Sequence, residues 1–423
     1  MPAVFRVFLT IIALLMVSWM AGGVTAASIG TDWKERVPVE GSSFSGVMFS
    51  LDGSKVFAGG SQMYLRSWDG EQHWGGQTGF ISAMSADGNY VAYGQRNALV
   101  MLDKNGMEMW SRNMDGEVRA VAVSGNGTLV ISADNRGNIN SWSKNGEFYG
   151  RNKINLVKQI AISPMNTLVV TTTESELVFF TPSLDPVWSD TKNGSVDTDI
   201  FFSGDGSTVI TSGGKRVSSH TNTGIINWMN DVARYTITSM ACSYDGSVIV
   251  ISCEDGSVQA MDRYGKVHWT YPVGQWTNSV AISRDARVIV AAGIDQTLYV
   301  LDHGGKLLVK KQMASIIHPR SIAVSADGTR IAVADEYALN GYTLLTGPDL
   351  IERVTVIPTT SARYTNTPTP LPTTEIAVMV PPDTPEQITP VPVTPTPKSP
   401  LDPVTVLLAI GAGLSLVRGG RKG

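Results

Sequence analysis

Two cysteines, five histidines and a scatter of carboxylates are the side chains in this sequence with the most scope for chemistry. Cys242 and Cys253 are too few for a multi-cysteine zinc or iron–sulfur centre. A tight turn at 244–247 sets Cys242 opposite Ile249 and leaves Cys253 several residues further along. A disulfide needs close β-carbons, so two buried free thiols are expected. The histidines, at 73, 220, 268, 303 and 318, show no metal-ligand spacing. Glu174 and Glu176 come nearest to a general acid/base pair, but they lie in the polar loop Thr172-Thr173-Glu174-Ser175-Glu176, where solvation is expected. Aspartates 52, 87, 205, 245, 285 and 327 could suggest calcium. A calcium cage needs several oxygens converging on one point, whereas these are single carboxylates in separate repeats, where aspartate serves as a turn former. No Gly-x-Ser-x-Gly elbow, His-Glu-x-x-His or phosphate loop occurs. The reading therefore assigns no catalytic residue, no cofactor and no metal site.

The elements that carry these residues are set by an internal repeat. The unit apolar-Ser-x-Asp-Gly recurs as FSLDG, MSADG, VSGNG, ISPMN, FSGDG, CSYDG, ISRDA and VSADG, with serines at 50, 85, 124, 163, 203, 243, 283 and 325. The intervals are 35, 39, 39, 40, 40, 40 and 42 residues. Each unit holds four short β-branched runs separated by turns. In the sixth unit these are Ile237–Cys242, Val248–Ser252, Val258–Met261 and Val267–Tyr271. Asp-Gly suits such hairpins because Gly supplies positive φ and Asp bonds its own backbone. Four antiparallel strands every forty residues predict an all-β fold, an eight-bladed β-propeller of four-stranded blades. A β-helix would have a shorter period and immunoglobulin-like domains a longer one. Seven blades is the alternative, given the 35-residue first interval and the divergent fourth unit.

Gly-x-x-x-Trp ends four units, at Gly70/Trp74, Gly106/Trp110, Gly224/Trp228 and Gly265/Trp269, and Trp188 ends another without the Gly. The third unit has Gly150 at this place and the seventh Val309. These tryptophans are expected as structural wedges between blades, since a flat ring buries much apolar area where two sheets face each other. Trp33 precedes the first unit as an outer strand without its own blade. The eighth unit would accept that strand as its fourth, closing the ring and removing free edges. Leu350–Ile357 is a competing candidate for the same place.

Outside the repeats, residues 1–27 read as a secretory signal. Arg6 is followed by the apolar run Val7 to Met20 and by small residues at Val24-Thr25-Ala26. The propeller is assigned to 28–357. Residues 358–400 hold 12 Pro and 11 Thr, a composition that favours an extended stalk. At about 3.1 Å per residue it could reach on the order of 130 Å. Residues 401–423 end in an apolar run, Val404 to Val417, closed by Arg418, Arg421 and Lys422. The run is short for a membrane span, and its basic end would face the cytoplasm. A transmembrane or sorting segment is assigned there. Lys and Arg number 33 against 37 Asp and Glu, a net charge of −4, which argues against a nucleic-acid partner. Asn126-Gly-Thr128 and Asn193-Gly-Ser195 are possible N-glycosylation sequons; Asn126 also occupies a turn.

Leu102-Asp103-Lys104-Asn105-Gly106 to Trp110, and Met261-Asp262-Arg263-Tyr264-Gly265 to Trp269, resemble the tryptophan-docking repeats of pyrroloquinoline-quinone-type propellers. The apolar-Ser-x-Asp-Gly turns resemble those of WD-repeat propellers. The resemblance covers about residues 33–350. The tail resembles the tripartite sorting tails of prokaryotic surface proteins, with Ser399-Pro400-Leu401 where the archaeal tails carry Pro-Gly-Phe. Together these features resemble an archaeal cell-surface propeller protein. The resemblance implies an extracellular, membrane-anchored module with a monomeric head that binds an envelope protein or polysaccharide without catalysis. The alternative is an exported enzyme, quinone-dependent or hydrolytic, with its site in the propeller funnel. Many quinone enzymes carry a vicinal cysteine pair on the cofactor, and this chain has none.

Overall fold

A computed structural model describes residues 27–36, 44–79, 81–191, 197–274, 276–336 and 338–345. All lie in the first of the two units into which the chain divides, Met1–Thr359 and Thr360–Gly423. The signal, stalk and tail, Asn193 and Leu350–Ile357 lie outside the described residues. The regular structure of the described residues is entirely β-strand, arranged in eight antiparallel sheets that form the blades of a propeller.

The blades run in chain order: blade 1 at 44–79, blade 2 at 81–113, blade 3 at 118–153, blade 4 at 159–191, blade 5 at 197–231, blade 6 at 237–272 and blade 7 at 277–312. Blade 8 combines 317–345 with Ser28–Arg36. In blade 1 the long strand Lys55–Ser67 doubles back, and the Trp68 amide at its far end donates to Ser54 O at 2.8 Å. Its first half pairs with Phe44–Phe49 and its second with Gln72–Gly79, so this blade is four-stranded like the others. The short first repeat interval has a local cause: only one residue separates Gly79 from Ile81, where blade 2 begins.

Position within a blade explains the sequence pattern of each strand. The second strands lie inside each sheet and are mainly apolar or small; Leu129–Asp134 and Val288–Gly293 are buried at every residue. The fourth strands form the outer edge and alternate, as Phe148–Lys153 and Val267–Pro272 do. The first strands pack against one another around the axis, and those of blades 1 and 8 meet to complete the ring.

Closure is made by the strand that contains Trp33. Ser28–Arg36 runs antiparallel to Ala338–Leu345, with Ser28 opposite Leu345 and Arg36 opposite Ala338. Thr343 Oγ1 donates to Asp32 Oδ2 at 2.6 Å across this pair.

The serine unit is a hydrogen-bonded clasp at each first turn. In all eight units the buried serine Oγ accepts the amide five residues on, at 2.9–3.0 Å. In the six units that carry aspartate two residues on, the hydroxyl donates to it, as from Ser203 to Asp205 at 2.6 Å and from Ser325 to Asp327 at 2.5 Å. That carboxylate also accepts the amide of the residue two beyond it. Hydrogen bonds from Ser203 and Ser207 hold the Asp205 carboxyl below its ordinary value. At Asp52, Asp245 and Asp327 burial pulls the other way, and the same kinds of bond outweigh it.

The tryptophans dock on the next blade. The Trp110 indole N–H donates to Lys144 O at 2.7 Å, Trp228 to Arg263 O at 2.6 Å and Trp269 to His303 O at 2.9 Å. Each ring lies on the glycine of the neighbour's outer turn: Trp74 on Gly106, Trp110 on Gly146, Trp188 on Gly224, Trp228 on Gly265 and Trp269 on Gly305. A β-carbon on Gly224 would lie 2.2 Å from the Trp188 ring. Trp33 sits on Gly341 of its own blade and reaches blade 1 through Trp68, 5.3 Å between ring centres, and the Arg66 guanidinium, 3.9 Å away. At Gly150 a β-carbon would lie 1.9 Å from Ser183 O, so the backbone of blade 4 fills the place a tryptophan takes elsewhere.

Three outcomes follow for stability. Trp110→Ala should cost roughly 3–5 kcal/mol, read as a lowered urea midpoint. Ala286 replaces the turn glycine of the seventh unit and holds φ at 61°, so Ala286→Gly should stabilise by about 1 kcal/mol. Carboxyls depressed in the folded state contribute stability that is present above their unfolded pKa and lost as pH falls through the folded one. Unfolding free energy should therefore decline below about pH 4, and Asp205→Asn should reduce that slope.

Candidate functional site

The first strands of blades 1 and 4–8, with the turns that follow them, enclose a funnel of about 670 Å³ on the propeller axis. Its wall is mainly apolar, with Val47, Phe201, Met240, Val280, Ile282 and Ile322 facing it. Inter-blade backbone bonds stiffen the turn end. Tyr244 N–H donates to Arg284 O and Arg284 N–H to Ala326 O, both at 3.1 Å. The Tyr244 ring lies between the Arg284 guanidinium, 3.5 Å from its centre, and Gly204, where a β-carbon would meet the ring at 2.1 Å.

Among the described residues one carboxylate enters this wall. Asp199 of blade 5 is 7% exposed; its Oδ2 accepts the Met240 amide of blade 6 at 2.9 Å. Its Oδ1 lies 3.5 Å from Arg320 Nη2 of blade 8. Burial raises the Asp199 carboxyl, opposed by the Arg320 charge and by the hydrogen bonds from Met240 and Arg320. Arg320 holds φ at 62°, within an irregular stretch where pairing passes from Ile317 to Ile322. A non-glycine residue in that region costs about 1–3 kcal/mol and persists where its surroundings hold it.

Neither residue stands out in a motif search, yet the repeat register exposes Asp199. Four residues before each unit serine stand Gly46, Ile81, Ala120, Gln159, Asp199, Ser239, Ser279 and Ser321. Asp199 is the single carboxylate in that series, where the equivalent Ser239 Oγ merely accepts the Val280 amide at 3.5 Å.

The residues with chemical potential in the sequence stay apart. Cys242 lies opposite Ile249 and Cys253 opposite Ile237, both as free thiols. Burial pushes both thiols up, Cys253 to about 11. Glu174 pairs with Lys158 at 3.0 Å on the exposed surface. His220 is buried against Trp188 and Phe179, whereas His268 pairs with Asp262 and His318 with Glu336 in other blades. Asn126 uses its amide oxygen in its own turn and accepts Asn166 Nδ2 of blade 4 at 2.9 Å. Among the described residues no three His, Cys, Asp or Glu side chains gather as a metal site. A quinone with calcium does not fit this funnel. Among the described residues its wall offers one carboxylate, already engaged by an arginine and an amide, and one thiol, Cys242, with no vicinal partner.

Comparison with known proteins agrees with this architecture. A pyrroloquinoline-quinone-type repeat family, described as outer membrane protein assembly factor BamB, matches residues 160–314, which fall in blades 4 to 7. No curated protein matches the chain. The crystal structure of the C-terminal WD40 domain of Sif2 is similar with a TM-score of 0.64 at 14% identity, covering 75% of this chain and 99% of that one. At that identity the likeness shows the fold: the chain is a β-propeller with quinone-type repeats.

Proposed function

We propose that this chain is an exported, membrane-tethered propeller that acts as a binding or scaffold module for an envelope protein or glycan. The observation that carries the reading is the likeness of blades 4 to 7 to a family described as an outer membrane assembly factor. The apolar leader at 1–27, the Pro/Thr stretch at 358–400 and the apolar, basic-ended tail at 401–423 support an extracellular head on a stalk. The geometry of closure suits that arrangement. Ser28 and Leu345 lie side by side, so the first and last described strands end together at one corner of blade 8. A rigid ring with many turns on each face suits recognition.

Fractionation of cells that make the full chain checks the tether. The chain should sediment with membranes and be cut by protease added to intact protoplasts, and deletion of 401–423 should release it. Crosslinking of the full chain in envelopes should then give one dominant, saturable partner. A soluble cytoplasmic chain, or diffuse unsaturable crosslinks, would sink the reading.

A further inference from the structure

The turn end of the axial funnel carries a cation that no carboxylate neutralises. The residue after the clasp serine is Leu, Ala, Gly or Pro in six of the eight units. Blades 6 and 7 place Tyr244 and Arg284 there, both on the funnel wall. The Arg284 guanidinium lies on the Tyr244 ring, 3.5 Å from its centre. Stacking uses the flat face of a guanidinium and leaves the N–H fork at its edge. Among the described residues no carboxylate or carbonyl takes that fork. The carboxylates that share the mouth with Arg284 have cations of their own. Arg263 lies 3.8 Å from Asp245, Arg287 lies 3.2 Å from Asp285, and the Arg330 charge acts on Asp327.

Behind this cation the wall is apolar. The repeat register orders it along the axis: Arg284 stands one residue past its serine and Asp199 four before its own. Phe201, Met240, Val280 and Ile282 occupy levels between them on the wall. Those five residues of strand, at about 3.3 Å each, span roughly 16 Å. At the far end Asp199 and Arg320 face each other as opposite charges, and the Met240 amide is bonded to the carboxylate. An ammonium head at the mouth would meet Arg284 as a like charge. A carboxylate meets it as its opposite, and its planar shape fits the fork with two parallel N–H···O bonds. An apolar chain behind that head leaves water for the apolar wall. The volume of about 670 Å³ is in the range that holds small organic ligands.

We infer that the axial funnel binds a monocarboxylate amphiphile, its head on Arg284 and its apolar chain along Ile282, Val280 and Met240. Two sources share this chemistry: a straight-chain acid and the carboxyl end of an apolar peptide. The inference stands on the funnel alone and does not depend on the envelope reading.

Calorimetric titration of the full chain tests it. The probes are octanoate and acetyl-leucyl-leucine, with octanol and octylamine as controls that lack the negative charge. At least one acid should bind tenfold or more tighter than both controls. Tighter octanoate assigns the straight-chain acid, and a tighter acetyl dipeptide assigns the peptide end. Arg284→Gln, at an exposed position, should bring the preferred acid down to the level of octanol with an unchanged melting curve. Ile282→Ser leaves the cation in place and should weaken the preferred acid several-fold through its chain. The apolar run at 404–417 is common to parent and variants, so its own uptake of probe cancels. The inference is overturned if neither acid exceeds both controls tenfold, if Arg284→Gln binds the preferred acid like the parent, or if Ile282→Ser leaves its affinity unchanged.

Discussion

A buried serine hydroxyl that accepts a backbone amide five residues ahead, and in seven of the eight units donates to a carboxylate or amide two residues ahead, is the contact on which this fold is built. An unpaired hydroxyl at those depths would cost roughly 1–3 kcal/mol, and here the hydroxyl's lone pair is used in every unit. The clasp sets where the first strand stops and the second starts. Because that turn abuts the axis, it also sets the point at which one blade meets the next. The inter-blade bonds from Leu51 to Ala86 and from Arg284 to Ala326 start from the residue immediately after the serine. Local turn chemistry is in this way converted into ring geometry.

A second contact works at the outer radius. The tryptophan of one blade and the glycine of the next form a pair whose two members make sense only together: the ring needs a surface without a side chain, and the glycine turn needs a flat partner. Inner clasps and outer rings leave the intermediate strands to pack by continuous apolar burial. The axis alone is left unfilled, and there the repeats are least alike. The position four residues before the serine holds glycine, isoleucine, alanine, glutamine, aspartate or serine, and Gln159, Asp199 and Ser239 of this series line the funnel. A repeat protein that varies where its copies converge keeps its scaffold constant and changes the surface it shows to a ligand.

Much of this was legible in the sequence. The sixth unit's strands were expected at 237–242, 248–252, 258–261 and 267–271 and are observed within one residue at each end. Trp33 was expected to bring a fourth strand to the last blade, and its strand pairs there. Periodicity and Asp-Gly turns carry that information because strand and turn preferences are local. The funnel was expected from the fold, but the residues that line it were not legible. Asp199 and Arg320 lie 121 residues apart and meet only through the curvature of the whole ring. Arg320 also occupies a left-handed backbone position that no local preference of arginine would suggest. The gap at the third docking site has a similar origin, since Gly150 is fixed by the backbone of blade 4 and not by its own neighbours.

The closing strand imposes an order of events on the making of the molecule. Ser28–Arg36 is synthesised before every blade, and its partner, Ala338–Leu345, comes some three hundred residues later. Through that interval the early strand has no sheet to join. The ring can lock only after the last blade has followed. Such a long-range pairing is slow to find and cooperative once made. The ring is thus held open until the last blade exists, and the earliest strand of the head is the last to be secured.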